Sequence, residues 1–235
     1  MMNAPRHLAL LLALLSAAGS ASTRAAGMEW LSYRDAYRTM IVFEKYGRPK
    51  TYLQNQIQLV PARKGTLPDD LQLSLQLQGS TVRLPLDGIG RAVFPVLKAA
   101  FDENAPLLIH GGAGPVNFRA RISIVARADG MYDSAELRTA CAQALDYQRY
   151  TDPSARGSTC VGVRFVYPTE GPAPQVRVRG AGTAAAAALP VTLGTAFPGD
   201  EHGAYRVVNY RFAEHASAGQ LLAASPPLAI APLIE

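Results

Sequence analysis

Leu71-Gln72-Leu73-Ser74-Leu75-Gln76-Leu77-Gln78-Gly79-Ser80-Thr81-Val82-Arg83-Leu84 decides the fold class of this chain. Leucines alternate with polar residues over eight positions, the period of a strand with one buried face. Gly79-Ser80 reads as a glycine-first hairpin turn, and Val82 and Leu84 resume the alternation on a returning strand. Pro85 follows and lacks a backbone donor, which places that return at a sheet edge.

The same period recurs on either side. Tyr52–Val60 places Ile57 and Leu59 on one face and Gln54, Gln56 and Gln58 on the other. Phe118, Ala120, Ile122 and Ile124 alternate with Arg119, Arg121 and Ser123. Val161, Val163, Phe165 and Tyr167 form another such set, and Val208, Tyr210 and Phe212 a further one. A 3.6-residue period governs two segments. Trp30, Tyr33, Tyr37, Met40 and Ile41 predict a helix over about 28–46, closed by Gly47. Asp133 and Glu136 form a capping pair ahead of a helix over about 134–149. Strands and helices do not alternate, so a doubly wound parallel sheet is disfavoured. The expected class is α+β, mainly β: an antiparallel sheet or sandwich with two helices. No internal repeat is visible.

Residues 1–22 read as a signal peptide, with a cut between 20 and 27. Arg6 and His7 precede the apolar run Leu8–Leu15, and small residues follow. That run is too short to span a hydrocarbon core of about 30 Å. The apolar stretch 216–235 is broken by Pro226, Pro227 and Pro232, so no transmembrane segment is expected after signal removal. The chain then divides into a sheet-rich domain over 28–168, a Pro/Gly/Ala-rich linker over 169–190, and a C-terminal strand with a flexible tail over 191–235. Export to a periplasmic or secreted compartment makes a disulfide the natural reading of the two cysteines. Cys141 lies on the inward face of the second helix and Cys160 opens the next strand, so Cys141–Cys160 is the expected bridge.

The chain has 235 residues and a formal charge of +5, and its basic residues are nearly all arginine. They are dispersed, without the clustering and interleaved aromatics of a nucleic-acid surface, so no nucleic-acid partner is expected.

Ile109-His110-Gly111-Gly112-Ala113-Gly114 is the one string that points toward catalysis. It resembles the His-Gly-Gly oxyanion segment of esterases and lipases, where glycine N–H groups approach a developing oxyanion. That family also carries its nucleophile in a Gly-x-Ser-x-Gly elbow, which this sequence lacks. The string also resembles the opening of isoaspartyl peptidases. There the resemblance implies a nucleophilic Thr beginning a substantial second segment, and Thr183 has only a short, low-complexity sequence after it. No Lys-Ser/Thr follows the glycines, so a nucleotide loop is not expected. His202 with Asp200 and Glu201, and His215 with Glu214, match no standard metal spacing. Asp69-Asp70 and Asp102-Glu103 read as solvated turns. No metal, cofactor or complete catalytic set is therefore expected, and His110 stands as the single catalytic candidate. The glutamines at 54, 56, 58, 72, 76 and 78 form an uncharged polar surface suited to donating and accepting hydrogen bonds. The functional expectation is an exported, non-enzymatic binding or accessory protein of a bacterial-type cell envelope, with an envelope protein or polysaccharide as partner. The alternatives are a small periplasmic hydrolase using His110 and a binder of anionic cell-surface material.

Overall fold

The computed structural model describes residues 28–63, 65–112, 114–180, 182, 186–201, 203–216 and 218–235. The leader lies outside these residues, as do Ala113, Thr183 and His202.

The first described residues form a strand, β1 (Met28–Ser32), and helix α1 (Tyr33–Lys45) begins only after it. The Ser32 hydroxyl accepts from the Asp35 N–H, and a cap of this kind needs extended backbone at Ser32. The helix therefore cannot start at 28. Next come β2 (Leu53–Pro61), β3 (Gln72–Leu77), β4 (Ser80–Leu84) and the two-residue β5 (Arg91–Ala92). A short helix α2 (Lys98–Glu103) leads into β6 (Pro106–His110) and β7 (Val116–Ile124). Then β8 (Met131–Asp133) runs into α3 (Ser134–Thr151), capped by the Asp133 carboxylate on the N–H groups of Ala135 and Glu136. The remainder is all strand: β9 (Cys160–Tyr167), β10 (Val176–Gly180), β11 (Ala186–Ala188), β12 (Thr192–Gly194), β13 (Tyr205–Arg211), β14 (Ala218–Ala223) and β15 (Ala229–Ile234).

The class is α+β, mainly β, with every sheet antiparallel. A central seven-stranded sheet has the order β12-β13-β9-β15-β7-β2-β5. Two four-stranded sheets, β1-β6-β3-β4 and β11-β10-β14-β8, accompany it. The β3–β4 hairpin closes one residue earlier than its sequence suggests. Leu77 pairs with Ser80, so the turn is Gln78-Gly79, with Gly79 at φ 78°. Residues 229–234, read from their prolines as a flexible tail, are a strand in the middle of the central sheet. Ala229, Ile230 and Ala231 are buried there, and β15 pairs with β9 along its length. The stretch read as a linker supplies β10 and β11.

One core lies between β2, the β3/β4/β6 sheet and α1, through Ile57, Leu59, Leu73, Leu75, Leu107 and Met40. A second lies between β9, β13, the β10/β14 sheet and α3, through Phe165, Tyr210, Val178, Leu221, Leu137 and Cys141. Cys141 is bonded to Cys160, with Cα atoms 6.0 Å apart, which ties α3 to the start of β9.

These two cores reveal a repeat. In the first half, strand, helix and central strand (β1, α1, β2) are followed by a β3–β4 pair, a return to the central sheet, a strand between β1 and β3 (β6), and a last central strand (β7). In the second half β8, α3, β9, β10–β11, β13, β14 and β15 follow the same course. The small sheets have matching orders, β1-β6-β3-β4 and β8-β14-β10-β11. The central sheet reads β5-β2-β7 inward from one edge and, inside the additional edge strand β12, β13-β9-β15 from the other, meeting at Ile124 and Ile230. The helices match residue by residue from their caps. Ala36, Met40 and Phe43 are buried on α1, and Leu137, Cys141 and Ala144 hold the same positions on α3. Tyr46 and Tyr147 also correspond, and their rings pack edge to face, 5.2 Å apart. No described helix is long and apolar enough to cross a membrane.

Candidate functional site

Alternation along β2 sends Ile57 and Leu59 into the first core, and so sends Gln54, Gln56 and Gln58 to the opposite face of the central sheet. The register sets Ser123, Arg121 and Arg119 of β7 beside these glutamines, and Arg91 of β5 beside Gln58 on the other flank. Three guanidinium groups thus share a face with three amides.

Two acids neutralise them. Asp87 accepts from Arg91 Nε at 2.9 Å, while its other oxygen accepts the backbone N–H groups of Ile89 and Arg91. Asp200 takes Arg121 at 2.7 Å and Arg119 at 3.1 Å on one oxygen. Gln58 links the two pairs: its amide donates to the Ile89 carbonyl at 2.9 Å and its oxygen accepts from Arg121 Nε at 2.6 Å. Ser123 accepts from Arg91 and from Gln54. Arg91 also donates to the Leu228 carbonyl. The Phe197 ring lies against Arg121, 4.3 Å from guanidinium carbon to ring centroid. Burial lowers the Arg121 pKa, and Asp200 opposes that shift. Buried charges this close persist only when paired and hydrogen-bonded, as these are.

A cleft of about 650 Å³ opens over this network. Its walls include Asp69, Asn117, Arg119, Glu170, Glu201 and Tyr205. Asp69, Glu170 and Glu201 make no ion pair with any described residue. Burial raises the Tyr205 pKa, and the nearby charges of Asp87 and Asp200 add to that. Gly90 forms part of the wall at φ 74°. A Cβ there would lie 2.9 Å from the Leu59 carbonyl oxygen and collide with Leu67, so the close approach of the chain to β2 requires glycine.

His110 lies elsewhere, at the end of β6 in the β1-β6-β3-β4 sheet. Its Nε2 is hydrogen-bonded to Ser74 Oγ at 2.8 Å, and Ser74 is 5% exposed. The sequence reading missed this Ser–His pair because Ser74 looks like one polar member of an alternating strand. No described carboxylate hydrogen-bonds to His110. Gly111, at φ 105°, would bring a Cβ to 3.0 Å from the Asp70 carbonyl oxygen, whereas Gly112 and Gly114 face open space. The glutamine surface divides. Gln54, Gln56 and Gln58 are on the central sheet, and Gln72 and Gln76 are on β3 of a different sheet. His215 stacks on Tyr210, and Asp102 pairs with Lys98. Among the described residues no three His, Cys, Asp or Glu side chains gather as a metal site.

The sequence reading also missed Asp87, Arg91, Arg121 and Asp200 as a group. Asp87 and Arg91 are four residues apart outside any helix, and Asp200 is 79 residues from Arg121. Only the alternation of Arg119 and Arg121 with apolar neighbours hinted at a charged sheet face. Comparison with protein-family models, with curated proteins and with solved structures finds no match for this chain.

Proposed function

We propose that the protein is an exported, non-enzymatic binding or accessory module of the cell envelope, and that its ligand seats in the cleft above the Gln58–Arg91–Arg121 network. The observation that carries this reading is an ion-paired and hydrogen-bonded polar floor, built from Gln58, Asp87, Arg91, Arg121 and Asp200, beneath an open cleft. Paired guanidinium and carboxylate groups hold their geometry without reorganising, which favours recognition. The same pairing leaves Asp87 and Asp200 poorly placed to transfer protons. Asp69, Glu170 and Glu201, whose carboxylates pair with no described residue, favour an uncharged or cationic ligand rich in hydroxyl and amide groups, such as an envelope glycan. They weigh against anionic material at this cleft. The leader-like N-terminal sequence supports export, and the Cys141–Cys160 bond is consistent with an oxidising compartment.

Photo-crosslinking in cells tests this. A photoreactive residue replaces Thr66 or Thr169, both in the cleft wall. The control replaces Leu193, which is 72% exposed on the short edge strand β12. Adducts specific to the cleft positions are expected, and equal or absent adducts would refute the reading. The Ser74–His110 hydrogen bond favours a hydrolase as the second reading. Labelling of Ser74 by a fluorophosphonate, abolished in His110→Ala, would put that reading in first place.

A further inference from the structure

The internal repeat provides a comparison within one molecule. Ile57 pairs with Ala120 on one side and Ala92 on the other; Phe165 pairs with Ile230 and Val208 in the same way. Ile57 and Phe165 are both 0% exposed and point into their respective cores. Setting one against the other aligns the neighbours on the opposite face of the sheet. Gln58 then corresponds to Val166, Arg91 to Val207, Arg119 to Ala229, Arg121 to Ala231 and Ser123 to Leu233. These five polar positions of the first half are apolar in the second, whereas Gln54 corresponds to Gly162 and Gln56 to Arg164, which donates to Asn209 and to the Thr195 carbonyl. In the second half, Val166, Ala229 and Ala231 pack with Ala196, Phe197 and Ile89 in a small apolar cluster, and Val207 is buried as well.

At those five positions the same strand frame is therefore satisfied by valine, alanine and leucine. Burying guanidinium groups carries a desolvation cost, and replacing a buried ion pair by well-packed apolar residues is often neutral or stabilising. The polar set on β2, β5 and β7 adjoins the cleft, which Gln58, Asp87 and Arg119 line from the first half and Glu170, Asp200 and Tyr205 from the second. We infer that Gln58, Arg91, Arg121 and Asp200 are kept for ligand recognition rather than for folding. Gln58, Arg91 and Arg121 are positioning residues that hold Asp200, and through it Arg119, together with the 87–90 wall in the geometry the ligand reads. This inference rests on the binding reading of the cleft.

The second half dictates the test. A full-length variant carries Gln58→Val, Arg91→Val and Arg121→Ala, with Asp87→Asn and Asp200→Asn because each acid loses a buried arginine partner. Its thermal unfolding midpoint is expected to equal or exceed that of the parent protein. Its photo-adduct from position 66 is expected to fall by about tenfold, the scale of one lost charge-assisted hydrogen bond. A variant that melts well below the parent, or does not fold, overturns the inference and makes the network structural. Asp200→Asn alone provides a milder arm: a parent-like midpoint with a weakened adduct supports the inference, and an undiminished adduct overturns it. If the parent protein gives no adduct from position 66, the binding reading itself has failed, and the inference falls with it. A parent adduct that survives in the variants leaves the binding reading standing and removes only the assigned role.

Discussion

Gly90 is the residue on which the geometry of the cleft depends most directly. Its backbone is in the left-handed region, and a side chain would meet the Leu59 carbonyl and Leu67. Its neighbours Ile89 and Arg91 donate their N–H groups to Asp87, so a shift at Gly90 moves the acid that holds Arg91. Gly90→Ala is expected to cost about 1–2 kcal/mol for the left-handed conformation alone, and more if Leu59 must move. Chemical denaturation measures the loss; an unchanged midpoint would show that the loop has another conformation open to it. His110 differs in kind, because its known contact is one hydrogen bond to Ser74. Gly90 could be suspected as a turn from the sequence. The Asp87–Arg91 pairing could not, since nothing in Asp87-Gly88-Ile89-Gly90-Arg91 says that the loop folds back so that one carboxylate caps its own backbone.

Among the elements, α3 and β9 are joined most firmly. The helix packs Leu137, Ala140, Cys141 and Ala144 into the second core, and the disulfide ties it to the strand that follows. The bonded residues are 19 apart in sequence, a loop whose closure in the unfolded chain corresponds to about 3 kcal/mol. The double variant Cys141→Ala, Cys160→Ala is expected to lose stability on that scale, read from its denaturation midpoint against the oxidised parent; a loss under 1 kcal/mol, about a third of that estimate, would mean the unfolded chain is already compact here. This part of the fold was legible because two independent cues agreed: the capping pair at Asp133 and Glu136, and the inward register of Cys141. The β3–β4 strands were legible from their alternating leucines, while the turn closes at Gln78-Gly79 and not at Gly79-Ser80. β15 was not. Pro232 and the alanines around it resemble a tail, yet the β7–β15 ladder holds one register pair, Ile230 with Ile124, and Pro232 lies beyond it. The missing N–H is tolerated where the ladder has already parted. α1 was misplaced at its start because Trp30 fits a helical stripe as well as it fits β1.

For the whole molecule, the repeat explains why two modest cores make one protein: neither half completes its sheet without the other. It was invisible in sequence because the halves share roles rather than residue types. Only the cap positions and the pair Tyr46 and Tyr147 echo each other openly. Buried tyrosines on both sides of the seam also set the alkaline limit. Burial raises the pKa of Tyr33, Tyr46, Tyr132, Tyr147, Tyr167 and Tyr205, with Tyr147 pushed up to about 12. A phenol whose folded pKa exceeds its unfolded value of 10.0 stabilises the fold fully below pH 10, and that contribution is lost as pH rises toward about 12. Denaturation midpoints should therefore hold up to pH 10 and fall above it, less steeply in Tyr147→Phe. A midpoint independent of pH across that window would show that these rings ionise freely in the folded protein.

The position of β15 also has a consequence in time. Ribosomes make chains from the N-terminus, and β15 is synthesised after every strand it lies between. Until residues 229–234 emerge, β2 and β7 on one side and β9 and β13 on the other remain two part-sheets with open edges at the future centre. Contacts of such large sequence separation form slowly. The interval before the last strand docks is thus the period in which those edges are exposed to mispairing with another chain, and the one in which a chaperone has most to protect.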